Sequence, residues 1–393
     1  MSTRCILPWL HQYGDIMGGY GLCCYSMFVD DKFNQFDKGV APLTAWNNKS
    51  IRSARLAMLS NKPVNACKPC YDWEASGIES PRQKNEKRWS AWLNLYDTTA
   101  PDGSISTPPI YIDFRFGNLC NFTCRMCGSY ASSSWAKEEK LLGKLEKTAP
   151  GHYDFWTDND DFWTDIRKIA PHVKTVYFAG GEPFVQLGHY KMLDMLLEVG
   201  NVTCELTYNT NLSYSGKFKS WDVAKLWDQF DNVQVWPSIE GWAERAEYGR
   251  KGLDWSKFCE NADKFDRYIT TFSIVSSAYT ITSNLQLIQW VKARHKMIHI
   301  TNLVSPSHLS TTILSTAKKR QINKQWQAGL NQLKGQLDQY ELNNCLDCLK
   351  HMNSVDDTHL AGKFKDWNTT LDNSRSESFI DTFPELADWY KTI

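Results

Sequence analysis

Between Pro108 and Pro306 the chain alternates short runs rich in β-branched and aromatic residues with longer amphipathic runs, six of each. The strand-like runs are residues 110–116, 175–179, 203–209, 233–239, 270–276 and 298–304, each ending near Gly, Pro or polar punctuation. The helix-like runs are residues 132–146, 161–169, 190–199, 223–230, 256–268 and 284–295. Such alternation predicts an α/β fold whose parallel strands are joined by right-handed crossovers. Six units are too few to close a barrel of eight. Sites on parallel sheets gather at the C-terminal ends of the strands. Residues 307–393 read as a helical extension, amphipathic near 316–340 and 376–390.

One cysteine pattern stands at the first of those strand ends. Cys120, Cys124 and Cys127 lie in the run Leu119-Cys-Asn-Phe-Thr-Cys-Arg-Met-Cys-Gly128, spaced C-x3-C-x2-C. Three thiolates on one loop can bind three irons of a cubane and leave the fourth iron open to a chelating ligand. A zinc knuckle or a set of buried free thiols is the competing use, but zinc sites favour paired C-x2-C ligands, and the triplet has no neighbouring fourth ligand.

The second strand ends in Phe178-Ala-Gly-Gly-Glu-Pro183. Gly180 and Gly181 let backbone approach a ligand, and Glu182 offers a carboxylate to an ammonium group. The third ends in Tyr208-Asn-Thr-Asn211, with Asn209 and Asn211 as polar candidates, and the fourth in Ser238-Ile-Glu-Gly241, followed by Tyr248-Gly-Arg250. Together these motifs resemble the radical SAM superfamily. The resemblance implies an open, partial (β/α)6 barrel of TIM type over residues 108–306. It also implies a 4Fe-4S cluster on Cys120, Cys124 and Cys127 that binds S-adenosylmethionine (SAM). Gly180, Gly181 and Glu182 would orient the amino group of SAM, Ser238 and Glu240 its ribose, and Arg250 its carboxylate. The implied chemistry is reductive cleavage of SAM to a 5′-deoxyadenosyl radical, which abstracts hydrogen from a substrate. The cysteines of the loop are then the catalytic residues.

A second cysteine set precedes the sheet: Cys5, then Gly18-x4-Cys23-Cys24, then Cys67-x2-Cys70. It looks like the twitch and SPASM auxiliary-cluster modules of the same superfamily. That implies a domain over residues 1–107 with a second 4Fe-4S cluster on Cys5, Cys23, Cys67 and Cys70, Cys24 being the alternative to Cys23. A four-thiolate zinc site has the same ligands and stays open here. So do three uses of Cys345-x2-Cys348, with His351 and His359 nearby: a zinc site, a ligand to a further cluster, or two free thiols. Cys204 and Cys259 read as packing residues.

Composition narrows the partners. Net charge is zero, which gives no basic face for nucleic acid. The 12 cysteines are grouped in metal-type spacings rather than a secreted disulfide framework, and no apolar run approaches the roughly 18 residues of a membrane span. We therefore expect a cytoplasmic protein, and the resemblance implies an oxidoreductase. Its partners would be SAM, an electron donor such as flavodoxin or ferredoxin, and a peptide or protein substrate, because relatives with auxiliary modules act mainly on peptides. The alternatives are a small-molecule dehydrogenase or epimerase acting on a sugar, aminocyclitol or nucleoside, and, more remotely, a non-enzymatic zinc protein.

Overall fold

Side chains alternate across a strand, and that alternation decides which face of this sheet is buried. The computed structural model describes residues 2–26, 40–146 and 150–393. The chain forms two compact units, Met1–Asn121 with Ser129–Thr210 and Gly216–Gln234, and Phe122–Gly128 with Asn211–Ser215 and Val235–Ile393.

In the first unit the strands run in the order Tyr20–Gly21, His11–Gly14, Tyr111–Phe114, Thr175–Phe178, Glu205–Thr210. All pairings but the first are parallel, in registers His11↔Tyr111, Tyr111↔Thr175 and Thr175↔Glu205. The expected strands at 110–116, 175–179 and 203–209 are thus present with slightly shorter ends. His11–Gly14 was not anticipated, because His-Gln-Tyr-Gly has no β-branched residue and no apolar alternation to signal a strand.

One face of this sheet carries Ile112, Phe114, Val176, Phe178, Leu206 and Tyr208, all buried. Aromatic rings from the crossovers cover it. Phe162 of helix Asp160–Ile169 meets Phe114 edge-on at 4.8 Å, and Trp227 of helix Val223–Trp227 lies 5.1 Å from Tyr208. The opposite face is polar and includes His11, Asp113, Arg115, Tyr177 and Asn209. The N-terminal helices build a second core around Trp9, Leu10, Trp46, Ile51, Met58 and Trp89. Arg55 threads that core fully buried. Its guanidinium donates to the carbonyls of Pro8, Trp46 and Gly103 and to Asn47 Oδ1, which satisfies a cation that burial would otherwise disfavour.

In the second unit Thr271–Ser276 pairs in parallel with Met297–Asn302 over six positions, and Val235 and Ser238 bridge to Ile269 and Ser273. Helix Gln339–Ser354 lies along Met297–Asn302. Its Glu341 and Asn344 accept from the backbone N–H groups of Ile298 and Ile300, at 3.0 and 3.2 Å, so polar side chains cap the edge of the strand.

The C-terminal helices differ from the expected stretches. The stretch 316–340 stops at Gln332. Gly335 then turns at φ +81°, and a capping box of Asp338 and Glu341 starts the next helix. The stretch 376–390 splits into Phe379–Thr382 and Ala387–Thr392 around Pro384, which has no N–H to continue a helix. Helix Ala361–Arg375 lies between. Among the described residues no helix is long and apolar enough to cross a membrane.

Candidate functional site

Within the first unit the Gly-Gly-Glu turn is stitched to the backbone that leads into Cys120. Gly181 N–H donates to Gly117 O at 3.1 Å and Glu182 N–H to Leu119 O at 2.8 Å. Gln186 Nε2 adds bonds to both carbonyls, at 3.2 and 3.0 Å. The approach is so close that a Cβ on Gly181 would sit 2.3 Å from Leu119 O. Gly180 turns at φ +114°, a region closed to most side chains. Cys120 is half-buried, and its carbonyl accepts from Ser134 Oγ at 2.8 Å at the start of helix Ser133–Leu141.

Glu182 is fully buried. Its Oε1 accepts from Thr210 Oγ1 at 2.7 Å and from the N–H of Phe184 at 3.2 Å, where it caps a short helical turn. The carboxylate is therefore held in one orientation at the strand end. Asn209 Oδ1 accepts from Tyr177 OH at 2.9 Å.

Cys124 and Cys127 belong to the second unit. A backbone bond from Cys127 N–H to Cys124 O, 2.9 Å, closes the turn between them. Cys124 pairs antiparallel with Arg250. Burial pushes the Cys124 thiol up and the Arg250 guanidinium pulls it back. Arg250 is paired with Glu240, Nη2 donating to Oε1 at 2.7 Å and Nε to Oε2. Ser238 bridges to Ser273, and Asn211 Oδ1 accepts from the backbone N–H and hydroxyl of Ser213. The second unit thus joins Cys124, Glu240 and Arg250 in one local arrangement and holds Asn211 in a tight turn of its own.

The N-terminal cysteines converge. Cys5, Cys23, Cys67 and Cys70 line one small pocket with Leu7, Leu22, Tyr25, Met58, Ala66 and Arg82. Cys24 is not among its lining residues; burial raises its thiol to about 11, with Asp113 adding to the rise and Arg115 opposing it. Burial is the largest cause that raises all four pocket thiols, Cys67 to about 12, and the nearness of the other thiols or of Glu74 and Glu86 adds to it. A pocket of this kind holds neutral thiols until a bound cation draws off their protons. The donor set, four sulfurs in an apolar shell, therefore fits an iron–sulfur cluster or a thiolate metal site. The thiols ring the pocket, and among the described residues no three His, Cys, Asp or Glu side chains close around a single ion. Behind Cys70, Arg82 and Glu74 form a buried ion pair at 2.6 Å.

The tail cysteines have a different setting. Cys345 and Cys348 are wholly buried on helix Gln339–Ser354, which packs on strand Met297–Asn302, and burial raises them to about 12 and above. His351 Nε2 meets Ser310 Oγ at 3.0 Å. They are core side chains. Cys204 is likewise wholly buried, whereas Cys259 is only half-buried.

Two features escaped the sequence. Arg125, inside the cysteine triplet, is a fully buried cation, and Asp113 with Arg115 forms an ion pair on the polar face of the sheet, 3.0 Å between Nε and Oδ1. For Asp113 and Arg115, charges inside an otherwise apolar strand were the available signal; for Arg125 there was none nearby in the chain.

No protein-family model matches the chain. A stretch of 126 residues, 31% of the chain, is 25% identical to a 7,8-dihydro-6-hydroxymethylpterin dimethyltransferase of Methanocaldococcus jannaschii, of whose length it spans 22%. Among solved structures, Streptococcus suis SuiB bound to its precursor peptide SuiA aligns with a TM-score of 0.38 and 12% identity, over 72% of this chain and 63% of that one. SuiB bound to S-adenosylmethionine aligns equally, with 64% of that chain covered. TYW1 with a lysine–pyruvate adduct aligns with a TM-score of 0.28 and 9% identity, over 56% of this chain and 70% of that one. At these scores the likenesses do not extend to a shared site.

Proposed function

We propose that this protein is a radical SAM oxidoreductase with an auxiliary cluster, acting on a peptide or protein. The observation that carries the reading is the clamp between Gly181-Glu182 and Gly117–Leu119. It seats a carboxylate and a glycine cradle beside the entry to a C-x3-C-x2-C loop at the ends of parallel strands.

Cys120, Cys124 and Cys127 would hold the cluster, and their half-buried thiols suit ligands that remain reachable by a nucleotide. Bound there with SAM, a 4Fe-4S cluster supplies reductive cleavage of the sulfonium and a 5′-deoxyadenosyl radical. Glu182 would accept from the ammonium of SAM. Glu240 keeps the Arg250 guanidinium beside Cys124, where a second carboxylate could compete for it. Cys5, Cys23, Cys67 and Cys70 would hold a second cluster, which their ring around one apolar pocket supports over a single zinc ion. A partial (β/α)6 barrel would be the scaffold.

Anaerobic reconstitution followed by chemical reduction with SAM tests the reading. Formation of 5′-deoxyadenosine by the wild-type chain, abolished in the triple Cys120, Cys124, Cys127→Ala variant, supports it. Cleavage that persists in the variant overturns it.

A further inference from the structure

Arg125 stands between two cysteines of the loop, where solvent exposure would be the ordinary fate of an arginine, yet none of it is exposed. Every donor of its side chain that bonds is directed at a different anchor within the second unit. Nε donates to Tyr248 O at 3.2 Å and Nη1 to Asn368 Oδ1 at 3.1 Å. Nη2 donates to Asp372 Oδ1 at 2.5 Å and Glu377 Oε2 at 2.6 Å. The guanidinium also lies over the Tyr248 ring, 3.6 Å from its centre.

The anchors are themselves fixed. Asp372 accepts from Tyr248 OH and from the N–H of Phe379, Asn368 from Tyr279 OH, and Glu377 from Lys251 Nζ. The main chain of the loop is held by the same region. Arg125 N–H donates to Gly249 O, Trp367 Nε1 donates to Arg125 O, and Arg375 Nη2 donates to Thr123 O. A buried cation of this kind is tolerated only with its partners in place, and the forked guanidinium fixes direction as well as distance.

We propose that Arg125 is the positioning residue of the cysteine loop, and that helix Ala361–Arg375 with Glu377 is a working part of the cofactor site. The device acts on the residues themselves: it sets where Cys124 and Cys127 stand before any cofactor is present. Its consequence for a cluster rests on the proposed function, whereas the anchoring does not.

Hydrogen exchange on the full-length apoprotein separates the two. Arg125→Lys keeps the charge and loses the fork; Glu377→Gln removes one half-buried carboxylate and is the variant to use if Arg125→Lys does not fold. Amides of residues 122–128 should exchange about tenfold faster in either, the factor produced by losing one charged hydrogen bond, with Tyr111–Phe114 unchanged. On the reconstituted protein, the paramagnetic signal that responds to SAM should change in line shape, and its midpoint potential should rise in Glu377→Gln, where a negative charge is lost. Unchanged exchange at 122–128 in a folded variant overturns the proposal. So does faster exchange with signal and potential identical to wild type. A wild-type protein with no SAM-responsive signal overturns the proposed function instead, and the exchange result then still decides the anchoring.

Discussion

Arg250 and Glu240 grip each other in a two-pronged pair, with Nη2 2.7 Å from Oε1 and Nε donating to Oε2, and Glu240 is completely buried. Arg250 is also the backbone partner of Cys124. The pair therefore couples a cysteine of the loop to the end of the strand Val233–Pro237 through one side chain.

Replacing Arg250 with Ala leaves a buried carboxylate without its partner. Breaking a buried pair from one side costs about 3–5 kcal/mol. Denaturant unfolding of the apoprotein should show a loss of that order, and the double variant Arg250→Ala, Glu240→Ala should recover part of it. A single-variant loss below about 1 kcal/mol, the value for an exposed pair, would contradict the geometry.

Gly181→Ala places a methyl group against backbone rather than a movable side chain, 2.3 Å from Leu119 O and 2.7 Å from Asn118 C. The run 117–119 must give way, at about 1–3 kcal/mol of overpacking. Reconstituted Gly181→Ala should retain less iron than wild type and cleave little SAM. Gly362→Ala is the control, since its Cβ position is open and its φ is not left-handed. Equal iron and cleavage in Gly181→Ala and wild type would mean that the clamp does not matter to the loop.

His189 sets an acid limit. It is fully buried beneath Phe178 and Tyr208, and burial lowers it to about 3. In the unfolded chain an imidazole titrates near 6.5. The native state thus binds fewer protons between those values, and stability is present above pH 6.5 and lost as pH falls toward 3. That gap corresponds to about 4–5 kcal/mol at full titration. A His189→Phe variant should lose less stability than wild type between pH 7 and 4.5. Parallel stability profiles for the two proteins would rule out a buried neutral imidazole here.

How much of this was legible in the sequence depends on the range of the interaction. All six expected strands and the helices between them are present, because period and composition are local signals. His11–Gly14 was invisible, since its burial comes from Tyr111–Phe114 almost a hundred residues on, not from its own pattern. The expected helix over 316–340 failed at Gly335, where one left-handed glycine outweighs the amphipathic period. At the site, spacing grouped Cys120, Cys124 and Cys127 and the Gly-Gly-Glu turn, but not the hydrogen bonds between Gly181, Glu182 and the 117–119 backbone. Nothing local marked Arg125, because its four partners lie 123 to 252 residues away in the chain.

The pocket of four thiols separates Cys23 from its neighbour Cys24, which the spacing alone left undecided. Cys23 lines the pocket with Cys5, Cys67 and Cys70, while Cys24 is not among the lining residues and feels the charges of Asp113 and Arg115. Iron per chain after anaerobic reconstitution should therefore fall by about one cubane, roughly four irons, in Cys23→Ala and in the double variant Cys67→Ala, Cys70→Ala. Cys24→Ala should keep the wild-type count. Four cysteines line this pocket, one for each iron of a cubane, so the iron that remains in Cys23→Ala should be the fraction that responds to SAM. The reverse order, with iron lost in Cys24→Ala and kept in Cys23→Ala, would exclude this pocket as the site. Zinc in place of iron in protein purified without air would assign the same four sulfurs to a structural metal.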